Sequence, residues 1–197
     1  MELSKVDKTR EKIIQVADKL FGRFGFYKTS MDEIAKIARK AKGSLYYHFS
    51  SKEELFKEVV AKEIRHLKNE LSKIANDDRI SSKEKIKLYL ITRMEILNQA
   101  ANYHETIKAD LYEHFEFVDD IRADFENWEK KVMKESIQEG VDRNEFDLDL
   151  KDIDAILEVF QMVLKGLEIP FFVQGKFEKY APHMDEMLKV IIKGISK

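Results

Sequence analysis

The sequence contains no cysteine, which removes disulfides, cysteine-held zinc, iron–sulfur clusters and thiol nucleophiles together. Glycine and proline are scarce, seven and two in 197 residues, where ordinary usage puts the pair near about 12%. Sandwich and βαβ folds need a turn every dozen residues or fewer, so this shortage argues against both. Apolar runs are short. The longest, Ile169–Val173, spans five residues, far below the roughly 20 of a membrane helix. The charged opening Met1–Lys5 offers no apolar export region. What remains is 37% charged and 44% hydrophobic residues with helical periodicity. We expect a soluble, cytoplasmic, all-α protein of one domain or two small ones, with no membrane contact.

The net charge of −2 hides an asymmetry. Residues 1–52 hold 12 Lys/Arg against 6 Asp/Glu, whereas residues 53–197 hold 23 against 31. A basic segment beside an acidic remainder suggests a polyanion partner for the first and another task for the second.

Periodicity places a first helix at roughly Lys5 to Phe24, with Ile13, Ala17, Leu20, Phe21 and Phe24 on one stripe and Gly25 as its closing residue. Ser30 and Glu33 form a capping box for a short second helix whose inner face is Ile34, Ile37 and Ala38. A third segment, Ala41 to His48, turns Leu45 and then Phe49 inward and leaves Gly43, Tyr46 and Tyr47 on the other side. A doubled signal, Ser50 to Glu53 or Ser51 to Glu54, opens a long fourth helix. Further helices are expected at about 82–101, 104–115, 118–139, 150–168 and 181–195, with Gly140 closing the third of these.

No catalytic constellation emerges. Glu63 and His66 make one Glu-x-x-His, where a di-iron bundle needs two plus two further Glu. Asp110 and His114 are four apart and read as an exposed helix pair. There is no glycine-rich phosphate loop. An enzyme is therefore not expected, nor a metal or cofactor. A helical adaptor without a DNA role remains the alternative, but it leaves the basic first segment unexplained.

A short helix, a tight turn and a second short helix with polar groups outward is the helix-turn-helix pattern. The string Ile13, Ala17, Leu20-Phe21, Gly25, Thr29-Ser30, Ile34-Ala35, Lys42-Gly43-Ser44-Leu45-Tyr46-Tyr47-His48-Phe49, Ser51-Lys52-Glu53 and Leu55 closely resembles the DNA-binding domain of the TetR family of bacterial transcriptional regulators. The resemblance covers residues 10 to 60. It implies a DNA-binding domain at 1–50 and a ligand-binding and dimerisation domain at 51–197. The function it implies is a repressor that binds a palindromic operator as a homodimer and is released by a small hydrophobic effector. The sequence departs from the family in one place: Ala38-Arg39-Lys40-Ala41 stands where Ala-Gly-Val-Ser is usual. Both the glycine that relaxes the turn and the serine that caps the third helix are missing.

Residue chemistry suits the carry-over. Gly43 lets backbone approach a base edge, and Lys42 can reach guanine O6 and N7. Tyr46, Tyr47 and His48 suit phosphate oxygens. Thr29, Ser30, Ser44 and Lys52 lie at helix starts where anions bind, and Arg39 and Lys40 add cations beside them. For the effector, the aromatic-rich span suggests Arg93, Met94, His104, Tyr112, Phe115, Phe125, Trp128 and Met133, with His114 as a further polar candidate. From Ile153 to Leu167, ten of fifteen residues are apolar, too many for one buried face. The dimer interface is expected at Ile156, Phe160, Val163 and Leu167, joined by Met184, Leu188, Ile191 and Ile195 of the last helix, with Gly166 permitting close approach.

Overall fold

A computed structural model describes residues 5–112 and 115–196. The order is α1 (Lys5–Phe24), α2 (Met31–Ala38), α3 (Lys42–His48), α4 (Lys52–Ala75), α5 (Ser82–Gln99), α6 (Ala101–Tyr112), α7 (Asp119–Asp142), α8 (Ile153–Glu168), α9 (Phe177–Tyr180) and α10 (Met184–Gly194). The fold is all-α. Among the described residues, the β structure is one isolated bridge, Phe146 to Ser196. No described helix is long and apolar enough to cross a membrane. The chain divides into two compact units, residues 1–64 with 100–120, and residues 65–99 with 121–197.

In the first unit each turn has an identifiable cause. Gly25 adopts φ 83° and its N–H reaches the Phe21 carbonyl at 2.8 Å, closing α1. Ser30 caps α2 by accepting from the Glu33 N–H at 3.2 Å. Of the two possible caps for α4, Ser51 is used: it accepts from the Glu54 N–H, while the Glu54 carboxylate takes both the Ser50 N–H and hydroxyl. The core is Ile13, Ala17, Phe21, Ile34, Leu45, Phe49, Leu55 and Phe56. Phe24 and Ile37, expected inside, are exposed. Each lies at the edge of a stripe already filled by Phe21 or Ile34.

The glycine-free turn folds without its glycine. Arg39 takes the left-handed conformation, φ 55° and ψ 46°. Its N–H donates to the Lys36 carbonyl and that of Lys40 to the Ala35 carbonyl at 2.9 Å. This is the paired hydrogen-bond closure that a glycine normally supplies. Ala41 starts α3 with no side-chain cap, as its methyl dictates.

The second unit packs α5, the rest of α7, α8 and α10. Gly140 does not end α7, which runs on to Asp142 while Asn144, at φ 59°, makes the left-handed turn. Gly140 is instead buried against Phe146: a Cβ there would overlap the phenyl ring and lie 3.0 Å from Ser82 Cβ. Its carbonyl accepts from the N–H groups of Glu145 and Phe146. The loop so folded is tied to the end of the chain by the Asp147 N–H and the Ile195 carbonyl at 2.9 Å. After α8 the backbone widens into a π turn, Ile169–Val173, which turns Phe171 and Phe172 inward onto Phe177. Pro182 lies in the single turn Ala181–His183 that leads into α10, where its missing N–H leaves no bond unmade.

Candidate nucleic-acid interface and ligand cavity

The outward side of α3 is polar and open. Tyr47 is 77% exposed and Tyr46 44%, so neither packs in the core, because Leu45 and Phe49 hold the inward positions. A Cβ at Gly43 would meet nothing within 4 Å. Arg39 is exposed, and Ser44 and His48 are half-buried. The His48 ring stands edge-on to Tyr47 at 5.2 Å between centroids. Lys42 is exposed but paired: its ammonium lies 2.7 Å from the Asp32 carboxylate of α2 and near the Tyr46 ring. That hydrogen bond and charge raise its pKa. Because both partners are exposed, the pair is worth little and can open toward another anion.

Three sequence-predicted phosphate contacts are placed differently. Thr29 is buried, and its hydroxyl donates to the Gly25 carbonyl at 2.9 Å, locking the α1–α2 loop. Lys52 donates to the Phe26 carbonyl at 3.0 Å and lies 4.2 Å over the Phe26 ring, which ties the start of α4 to the same loop. Lys40 donates to the Thr9 hydroxyl of α1 at 3.1 Å. All three side chains are engaged within the unit. Sequence reasoning missed Tyr27 and Lys28, both exposed, which line a groove with Thr29, Ser30, Asp32, Lys42, Tyr46 and Lys52 at the start of α2. The available signal was a cation one residue before the capping segment.

Helix α6 is held to this unit by a polar node. The Glu63 carboxylate of α4 accepts from the backbone N–H groups of Asn102 and Tyr103 at 3.2 and 2.8 Å, capping α6. The Asn102 amide nitrogen donates both to Glu63 and to Asp18 of α1, each at 2.8 Å. Burial raises the Glu63 pKa from 4.5 to about 6, against the pull of these donors, and Asp18 adds to the rise. The folded value exceeds the unfolded one, so the node is most stabilising below pH 4.5 and weakens as pH rises through 6. The loss should be about 2 kcal/mol. Urea titrations between pH 4.5 and 7 should show this slope in the wild type and lose it in Glu63→Gln.

The proposed effector residues are divided between the two units. His104 and Phe115 belong to the first unit. Phe115 is buried there among Phe26, Phe56 and Phe117, at 5.2, 5.9 and 5.1 Å between ring centroids. It is core of the first unit. The Tyr112 side chain and His114 lie outside the described residues. In the second unit Met94 is buried, and Phe125 is buried with Trp128 stacked on it at 6.0 Å. Arg93, also buried, is held between Glu129 of α7 at 2.8 Å and Glu168 of α8 at 3.2 Å. Its guanidinium has a structural partner on each side.

An apolar cavity lies elsewhere in that unit. It measures about 170 Å³ and is lined by Ile86 and Leu90 of α5, Met133 and Ile137 of α7, and two matched seams. Ile153, Ile156, Leu157 and Phe160 form one on α8; Leu188, Ile191, Ile192 and Ile195 form the other on α10. Each seam follows the i, i+3, i+4, i+7 spacing of one helix face. Met133 is the member of the predicted effector set found here. Several residues expected in the dimer interface also face this space or the chain's own core: Met184 and Leu188 are buried, and Phe160 and Leu167 half-buried. A helix with two apolar sides turns one of them to its own domain, which sequence periodicity alone does not assign.

Residues 13–59 match the family model of the bacterial regulatory proteins of the tetR family. The transcriptional regulator QacR of Staphylococcus aureus is 23% identical over 192 residues, covering 95% of this chain and 98% of its own. A probable acrEF/envCD operon repressor of Escherichia coli is 28% identical over 208 residues, covering 94% and 91%. Among solved structures, a Cytophaga hutchinsonii transcriptional regulator superposes with a TM-score of 0.75 at 24% identity, covering 95% of this chain and 98% of its own. A Saccharomonospora viridis putative regulator, crystallised with choline, gives 0.77 at 17%, covering 96% and 98%. The helix-turn-helix geometry and the match at residues 13–59 identify an N-terminal domain of the bacterial regulatory proteins of the tetR family, and along its length the chain is similar to transcriptional regulators.

Proposed function

We propose that the chain is a cytoplasmic, ligand-responsive repressor that binds a palindromic operator as a homodimer and is released by a small hydrophobic effector. Residues 1–50 bind DNA and residues 51–197 bind the effector and the second copy. The observation that carries this reading is the outward face of α3, where Lys42, Gly43, Tyr46 and Tyr47 stand clear of the core on the basic part of the chain. A helix with a bare glycine and an opposable lysine can lie in a major groove. Ser30, Arg39, Ser44, His48 and the neighbouring Lys28 supply phosphate contacts that set register. Helix α4 has residues in both units, so a ligand that prefers one setting of α4 shifts the DNA-binding equilibrium.

Lys42→Ala should cost about 1–3 kcal/mol of operator affinity and relax specificity at one base position. Asp32→Asn, which frees the Lys42 ammonium and removes a negative charge, should tighten binding to all sequences. Fluorescence anisotropy on operator and scrambled duplexes at several salt concentrations measures both. Equal operator affinity for wild type and Lys42→Ala would exclude the base contact. A chain that fails to bind any duplex at low salt would favour the adaptor reading.

A further inference from the structure

We infer that Lys42 and Asp32 read one base pair of the operator together, as a donor–acceptor unit that selects G·C in a single orientation. The inference rests on the DNA-binding reading above and names the base pair and the second residue that reading leaves open. The Lys42 ammonium of α3 lies 2.7 Å from one Asp32 carboxylate oxygen of α2 and 3.0 Å from the other. The two side chains are 61% and 64% exposed, and both line the groove shared with Ser30 and Tyr46. The Tyr46 ring lies 5.9 Å from the same ammonium. Beside Lys42, Gly43 has open space where a Cβ would stand, so a base edge can come close.

Both groups keep bonding capacity to spare. An ammonium has three donors and an ionised carboxylate about four acceptor sites, so the pair can stay closed and still bond to DNA. The middle of a G·C pair shows the major groove an acceptor, guanine O6, next to a donor, the cytosine N4–H. Those two atoms are hydrogen-bonded to each other at about 2.9 Å, which matches the spacing of ammonium and carboxylate. Lys42 over O6 and N7, with Asp32 over N4, satisfies all of them. The reversed pairs fail: C·G sets the carboxylate against guanine O6, and A·T sets it against thymine O4. A T·A pair offers O4 to Lys42 and N6–H to Asp32, but it gives Lys42 one acceptor rather than two and puts adenine N7 beside the carboxylate. Specificity then comes partly from rejection. A lone lysine finds guanine on either strand, whereas the fixed carboxylate makes one strand wrong.

The test is enrichment of a randomised duplex pool by the full-length protein. Fluorescence anisotropy then compares an enriched duplex with its three single-pair replacements at the position that Lys42→Ala relaxes. Wild type should prefer G·C there, with T·A next, and should reject C·G by about 5–150-fold, the discrimination of one good bidentate contact. Asp32→Ala should bind every duplex more tightly, since a negative charge is gone, yet lose most of the preference for G·C over C·G. Glu33→Ala removes a neighbouring exposed carboxylate that does not line the groove, and should leave the preference intact. Both variants should melt as the wild type does, because both side chains are exposed. No position relaxed by Lys42→Ala, a pair other than G·C there, or an unchanged preference in Asp32→Ala would each overturn the paired reading while DNA binding stands. An equal loss in Glu33→Ala would assign the effect to net charge and overturn it too. If no duplex is enriched, the DNA-binding reading itself fails and this one falls with it.

Discussion

Replacing Arg93 by Met should destabilise the protein by about 3–5 kcal/mol at neutral pH. The guanidinium is 3% exposed and joins α5 to α7 through Glu129 and to α8 through Glu168. It also faces the Phe125 ring at 5.8 Å, and the Tyr89 hydroxyl donates to Glu129 at 3.3 Å. Met fills much of the same volume, so the loss comes from leaving two buried carboxylates without their shared cation rather than from a void. Burial already raises the Glu168 pKa, and the Arg93 charge is what pulls it back. Without Arg93 the folded state holds that proton to higher pH. Its deficit relative to wild type should therefore grow as pH rises above the usual Glu value and shrink toward pH 5. Urea unfolding at pH 5 and pH 8 measures it, and a pH-independent gap would mean that packing rather than charge dominates. The triple change Arg93→Met, Glu129→Leu, Glu168→Leu should recover most of the loss, because it removes the charges together.

That cluster also marks where sequence reading stops. Arg93 stands out on the sequence as a polar residue in an apolar span, and an effector contact is the natural guess. Its structural role requires Glu129 and Glu168, which lie 36 and 75 residues away. Glu129 falls four residues after Phe125 and four before Met133 on the inward side of α7, so an acid on an apolar stripe was the local sign. The DNA-binding unit was far more legible, because its determinants are local: Gly25, the Ser30 cap and the Leu45/Phe49 pair act within a turn or two of themselves. Thr29, Lys52 and Phe115 have surroundings that the sequence does not display, for the opposite reason. Each is engaged by residues brought near by the fold, as the Lys52 ammonium is by the Phe26 carbonyl 26 residues earlier. The ambiguity of α8 has a third origin. Ten apolar residues in fifteen imply two covered sides, but which side meets the chain's own core depends on α5, α7 and α10.

Introducing a charge on the outward side of α8 should separate the two copies of the proposed homodimer and weaken its recognition of a palindrome. Val159, Met162 and Val163 are all exposed there, followed at the next i+3 position by Gly166. Helix α10 repeats the pattern with Met187, Val190 and Ile191 exposed and Gly194 next. A Cβ at either glycine would meet nothing within 4 Å, so both helices end these stripes with room for another backbone. Two such exposed stripes on one chain mark an interaction surface, and a two-fold axis lets each meet its own copy. Val163→Glu would then place two carboxylates in one apolar contact, one from each chain. Light scattering should fall from about twice 23.2 kDa to one chain mass, while circular dichroism stays helical because Val163 lies outside the core. A dimer presents its two α3 helices about 34–36 Å apart for successive major grooves. A monomer loses that linkage, and affinity for the full palindrome should drop by about 10²–10⁴-fold while a single half-site binds as before. Wild-type protein that scatters as a monomer yet still distinguishes the palindrome from its half-site would exclude the symmetric pairing. Loss of half-site binding in Val163→Glu would show instead that α8 supports the DNA-binding unit within one chain.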